Sequence, residues 1–222
     1  LILNNDCTHF QQACPAEKMT VAGAEEYFDA MTTGGKVTHF FICANGKSVT
    51  YHESKVPDTC WSPSPGRDGA LDLPWGVNSR LLHERGVDPV RIWIDRSRQR
   101  GISPWLSLRV NDVHDINKPW GCTRSRFWVE HPEFRCVPGS EGEKSWQDAA
   151  YDFMHPEVCE HMAALSREMM ERWDADGFEC DFLRFFHHVR SEAEGTLMAV
   201  EAMTDFMRRI RKAADEVGAR RG

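Results

Sequence analysis

Asp176-Gly177-Phe178-Glu179-Cys180-Asp181-Phe182-Leu183-Arg184 is the stretch on which the fold turns. Period two puts Phe178, Cys180 and Phe182 on one face of a strand, and Glu179 and Asp181 on the other. The apolar face suits a layer of helices. The acidic face has to point somewhere useful, because carboxylates on the inward side of a buried strand are costly unless paired or used. In a (β/α) barrel the first face meets the helices and the second lines the interior.

The flanks of this strand are helical. Upstream, His155-Pro156-Glu157 opens a helix with Val158, Met162, Leu165, Met169 and Trp173 at helical spacing. Downstream, Leu197, Val200, Met203, Met207, Ile210, Ala214 and Val217 form a sustained stripe. Three earlier units repeat the pattern. Leu1 to Asn5 reads as a strand, followed by a helix from Thr20 through Val21, Ala24, Phe28 and Met31 to a Gly34-Gly35 stop. Val37 to Ala44 is the second strand. The segment after it, with Pro57, Pro63, Pro65, Gly66 and Pro74, reads as loop. Asp88 caps a helix that has Pro89 at its first position and Gly101 just past its end. Ile102 to Val110 is the third strand, and a long loop runs from Asn111 to about Asp152.

Repeated strand–helix alternation predicts an α/β fold with a parallel sheet. Four strands, near 1–5, 37–44, 102–110 and 177–184, are expected side by side in that order. They are expected to curve as the N-terminal half of a (β/α)8 TIM-type barrel, with the long loops at strand C-terminal ends where barrel enzymes build their sites. The rival open doubly wound sheet lacks a GxGxxG or Walker pattern after its first strand. Residues 1–222 therefore read as one partial barrel domain. It starts at Leu1 rather than Met and stops after the fourth unit, as a piece of a longer chain would.

Composition narrows the partners. The 222 residues carry 27 Lys and Arg against 34 Asp and Glu, a formal charge of −7, with 41% hydrophobic and 27% charged residues. These are ordinary globular proportions. The acidic balance argues against nucleic acid, and the basic cluster Arg208, Arg209, Arg211 and Lys212 alternates with acids as a solvated helix face does. No apolar run of about 18 residues suggests a membrane span. The eight cysteines include no CxxC pair; a Cys122–Cys136 disulfide stays open, and cysteine usage leans towards a reducing compartment without fixing localisation. Oligomeric state is not legible.

The chemistry-bearing residues cluster at strand ends. On the third strand Trp105, Ser107, Arg109 and Asn111 alternate with Leu106, Leu108 and Val110, and the strand runs into Asp112-Val113-His114-Asp115. Arg109 is expected opposite Asp181, holding that carboxylate ionised. The first strand ends in Asn4-Asn5-Asp6, and Arg184, His187 and His188 follow the fourth. Of eight tryptophans, Trp61, Trp75, Trp120, Trp128 and Trp146 fall in presumed loops, where flat faces suit sugar rings or build a small core over the barrel.

The run HPEVCEHMAALSREMMERWDADGFECDFLRF (residues 155–185) resembles barrel glycoside hydrolases and glycoside hydrolase-like proteins, in which such a helix leads into a fourth strand of the form D-G-apolar-x-apolar-D. SLRVNDVHD (107–115) is similar to the third-strand segment of that group, and Asn4-Asn5-Asp6 to its first strand. The likeness runs in order over most of the chain and is strongest over 88–116 and 155–186. The alpha-amylase clan has a similar fourth strand, with its nucleophilic aspartate where Asp181 stands; where that clan carries an arginine two residues earlier, this chain has Glu179.

The expectation is hydrolysis of a glycosidic bond by paired carboxylates, without cofactor or metal. Asp181, Glu179 and Asp112 are the catalytic candidates. Arg109, Asn111, His114, Arg184, Asn5, Asp6, Trp120 and His187 are the candidates for binding carbohydrate. Two rivals stand beside it. One is a metal-dependent barrel hydrolase with Asp6, Asp112, His114, Asp181 and His187 as ligands, although no HxH follows the first strand and HExxH is absent. The other is a carbohydrate-binding barrel without turnover.

Overall fold

The computed structural model describes residues 1–6, 8–63, 72–118, 121 and 123–222. In chain order it contains β1 (Ile2–Asp6), α1 (Thr8–Ala13), α2 (Val21–Thr32), β2 (His39–Cys43), β3 (Asn45–Gly46), β4 (Val49–Thr50), β5 (Asp58–Thr59), α3 (Pro74–Glu84), α4 (Pro89–Gln99), β6 (Ser103–Arg109), α5 (Arg126–Glu130), α6 (Pro156–Arg172), β7 (Gly177–Asp181) and α7 (Leu197–Arg221). The four expected strands form one parallel sheet in the order β1-β2-β6-β7, as the alternation predicts. The fold is mixed α/β.

Register assigns the two faces. Phe40 and Ile42 on β2 pair with Pro104 and Leu106 on β6, and Leu106 and Leu108 pair with Phe178 and Cys180 on β7. This face carries the core: Phe28 of α2 packs edge-on against Phe40, and Trp93 of α4 lies against Phe40 as well. Leu106 and Phe178 share a hollow with Met170 of α6 and with Ala214 and Val217 of α7. The opposite face carries Asp6, His39, Phe41, Trp105, Ser107, Arg109, Glu179 and Asp181. Phe41 and Trp105 stack there at 5.2 Å with nearly parallel rings. Gly177 makes room for that stack, since a Cβ on it would stand 2.5 Å from the Trp105 ring.

Helix boundaries follow their caps. Thr20 accepts from the Gly23 amide, Asp88 from the Arg91 amide and Thr196 from the Ala199 amide. Gly101, at φ +67°, ends α4 in the left-handed conformation that glycine tolerates. Three features depart from the reading by composition. The proline-rich stretch after β2 is not all loop, because Pro74 sits at the first turn of α3, where its missing N–H costs nothing. The same stretch forms a small second sheet, β3-β4-β5. A short helix, α1, stands directly after β1. Among the described residues no helix is long and apolar enough to cross a membrane.

Candidate functional site

Side chains from the C-terminal ends of β1 and β6 and from the turn after β7 meet in a cleft of ≈ 250 Å³. Asp6, Arg109, Asp112, His114, Asp115 and Arg184 are among its polar lining, and Tyr51 and Trp75 supply aromatic wall. This is the edge at which parallel α/β proteins bind ligands, because neighbouring strand ends bring residues distant in sequence together.

Arg109 is the hub. Nη2 donates to Asp6 Oδ2 at 2.7 Å, and Nη1 donates to Asp112 Oδ2 at 3.0 Å. Both carboxylates thus lie on the two arms of one guanidinium. The arginine side chain is 13% exposed, Asp6 16% and Asp112 4%. Burial opposes the Arg109 charge, yet Cys43, Asp6 and Asp112 around it hold its pKa above the ordinary arginine value. The Cys43 thiol itself is pushed up to about 12 by burial and stays protonated.

Asp112 is also anchored by its neighbours. Its Oδ1 accepts from the His114 backbone amide at 3.0 Å and contacts His114 Nδ1 at 2.6 Å. Burial pushes its pKa up, but the bonds from His114 and the Arg109 charge outweigh that and hold the carboxyl below its ordinary range. Arg184 Nη2 stands 2.5 Å from His114 Nε2. Arg184 Nε also stands 3.2 Å from His114 Nδ1 and 3.9 Å from Asp112 Oδ2, so Asp112, His114 and Arg184 form one contact cluster.

The other sequence candidates separate from this centre. Asp181 is in register with Arg109 on the same face, but the expected ion pair is not among the described contacts. Arg109 is engaged by Asp6 and Asp112, and Asp181 Oδ1 accepts from the Leu183 amide two residues on, at 2.9 Å. Glu179 sits deeper along the strand, bonded by Ser107 Oγ at 2.5 Å and Asn4 Nδ2 at 3.3 Å. Asn5 points to the helix side, where Oδ1 meets the Tyr27 hydroxyl at 3.5 Å, so it does not reach the cleft.

Asn111 is buried and occupied by backbone: Oδ1 accepts from Tyr151 N, and Nδ2 donates to the carbonyls of Tyr151 and His187. It ties the long loop to the strand end and has no amide group turned to the cleft. His187 pairs with Glu194 at 3.3 Å and faces a groove beside α7. Trp120 and Cys122 lie outside the described residues. Among the described residues no cluster of three or more His, Cys, Asp or Glu is placed to hold a metal ion.

Sequence reading missed Tyr51, His9 and Gln12, which line the cleft. Trp75, one of the tryptophans singled out, lines it too, but from the first turn of α3 rather than from a loop, as the proline before it could have announced. Of the other loop tryptophans, Trp128 is core: it is fully buried, bonds Ala149 O, and carries Arg135 on its face at 3.5 Å. A scan against protein-family models finds no match, and a search of the curated proteins finds no similar sequence.

Proposed function

We propose that the protein is a glycoside hydrolase-like barrel protein whose cleft at the strand ends hydrolyses a glycosidic bond. The observation that carries this reading is the pair Asp6 and Asp112 on one buried guanidinium, in a cleft with aromatic wall from Tyr51 and Trp75. Glycosidases work with two carboxyl groups, and aromatic faces suit the apolar faces of sugar rings. Asp112, dry and held ionised, has the properties of the nucleophile or base. Arg109 keeps both carboxylates charged and oriented. Asp181, on the same face one strand away, is the further acidic group at this edge.

The barrel part of the proposal rests on two features. The strands follow in sequential order, and the sheet residues that meet α2, α4, α6 and α7 share one face. A doubly wound sheet carries helices on both faces, whereas a barrel keeps them outside. The uncovered apolar side chains Leu1, Ile2, Leu183 and Phe186 fit an arc of a larger barrel. Such an arc, expressed alone, self-associates in sedimentation velocity; a stable monomer that unfolds cooperatively would count against it.

A second reading, glycan binding without turnover, is favoured by one observation: Arg109 satisfies both carboxylates and Arg184 occupies His114 Nε2, so neither the carboxylate pair nor His114 stands free as a base. Hydrolysis of a panel of aryl glycosides and oligosaccharides, measured for the natural chain, Asp112→Asn and Asp6→Asn, separates the two. The hydrolase reading expects turnover that falls at least a hundredfold in Asp112→Asn while glycan affinity survives. Binding with no turnover in the natural chain supports the second reading.

A further inference from the structure

We infer that a second cavity, which among the described residues shares only Tyr51 with the cleft, binds a single neutral ring that carries hydroxyl groups, such as one sugar or cyclitol ring. It lies between the corner joining α3 to α4 and the segment after β4, with a volume of ≈ 140 Å³. A cavity near 150 Å³ accommodates a benzene-sized molecule, so the space fits one six-membered ring. Its rim includes the exposed residues Glu53, His83, Gly86 and Arg172, which gives a path from solvent.

The walls are selective. Ser79 is 1% exposed and lines the cavity, and its hydroxyl has no hydrogen-bond partner among the described residues. His52 is also buried and lines the same space, and neither ring nitrogen has a hydrogen-bond partner among the described residues; Glu168 Oε1 stands 3.6 Å from Nε2, too far for a bond. Two buried polar groups without a partner among the described residues, both lining one cavity, are a cost that a bound ligand relieves.

The kind of group they require follows from their chemistry. Burial lowers the His52 pKa, so the imidazole is neutral and offers one donor and one acceptor. The serine hydroxyl likewise donates and accepts. A ligand hydroxyl, itself donor and acceptor, matches both; a carboxylate or an ammonium matches only half. Two charged groups at the rim are already engaged: Arg172 bonds the Glu53 carbonyl and Asp88, and Asp88 accepts from Trp173 Nε1. Trp61, stacked on His83 at 5.3 Å, and Leu82 provide apolar surface for a ring face. The inference does not require the cleft to be catalytic.

The test is isothermal titration calorimetry of the whole chain with D-glucose, D-galactose and myo-inositol, with phenol as the apolar ring of the same size. At least one hydroxylated ring should bind with a millimolar Kd, and more tightly than phenol. Ser79→Ala, which removes the hydroxyl and little volume, should weaken it at least tenfold. Ser79→Met, which fills the space, should abolish it, while Asp112→Asn in the cleft leaves it intact. Melting temperatures show that each variant is folded. No binding by any hydroxylated ring up to about 100 mM means the cavity holds only water and overturns the inference. Unchanged affinity in Ser79→Ala, unchanged stoichiometry in Ser79→Met, or phenol binding as tightly as the sugars also overturns it.

Discussion

Replacing Arg109 with glutamine tests the centre of the cleft most directly. The guanidinium bonds Asp6 at 2.7 Å and Asp112 at 3.0 Å, and Asp112 is 4% exposed. Two unit charges about 4 Å apart attract by roughly 4 kcal/mol at an effective dielectric of about 20, before desolvation is counted. Breaking a buried pair on one side leaves the other charge stranded, which costs about 3–5 kcal/mol. Here one side chain serves two carboxylates, one of them slightly exposed, so about 3 kcal/mol at pH 7 is expected. The dependence on pH has a definite sign. In the natural protein the Asp112 pKa is lowered, so its contribution is present above the unfolded carboxylate value near 3.8 and is lost as pH falls through the folded value. In Arg109→Gln the burial that opposes ionisation is no longer outweighed by the arginine, and Asp112 takes up a proton more readily. The deficit relative to the natural protein should therefore be largest at neutral pH and shrink towards pH 4. Urea denaturation of both proteins at pH 7, 5.5 and 4 measures it. A deficit under about 1 kcal/mol at pH 7, or one independent of pH, would refute the hub role. Arg109→Lys keeps the charge but cannot hold two carboxylates on two arms, and should recover only part of the loss.

Three further outcomes follow from the packing. Asn111→Leu removes the bonds to Tyr151 N, Tyr151 O and His187 O and should cost about 2–4 kcal/mol in denaturant melts, with hydrogen exchange of the 145–152 loop accelerated. Gly177→Ala drives a methyl group into the Trp105 ring and should lower stability by about 1–3 kcal/mol while perturbing the Phe41–Trp105 stack in near-ultraviolet circular dichroism. His161 stacks flat on Phe127 at 3.9 Å, and burial lowers its pKa to about 4. The unfolded chain then binds more protons between about pH 4 and 6.5, so acid weakens the fold, by about 2 kcal/mol at pH 5 for this residue; His161→Phe should show a correspondingly shallower fall in stability over that range.

The sheet was legible because its signal is local. Alternation over five to nine residues and caps such as Thr20, Asp88 and Pro89 are properties of short windows, and the structure keeps them. The elements that composition concealed share a different property. In α3 the opening proline is also a loop signal, and only its position decides. In β3-β4-β5 each strand is two residues long, too short for any period to show.

The candidate site divides along the same line, and the division explains why Asp181 stood out in the sequence while the charge is organised around Arg109. Period two assigns a residue to a face, and it put Arg109, Glu179 and Asp181 on the face where the register also places Asp6. It cannot say which neighbour a long side chain chooses. Arg109 has Asp181 level with it on one side, yet reaches past β2 to Asp6 on β1 and takes Asp112 from the turn three residues on. Asp181 meanwhile closes its own turn onto the Leu183 amide, a local bond that aspartate makes two residues ahead without help from the fold. The strand that decides the architecture also spends its most recognisable residues on it. Asp176 is tied by Ser103 Oγ and Arg98, Gly177 makes room for Trp105, and Glu179 is bonded across the sheet to Ser107. A motif carrying that many structural duties marks where a site is without naming all of its members. Those members came from the ends of other strands and from loops, where polarity was visible but partnership was not.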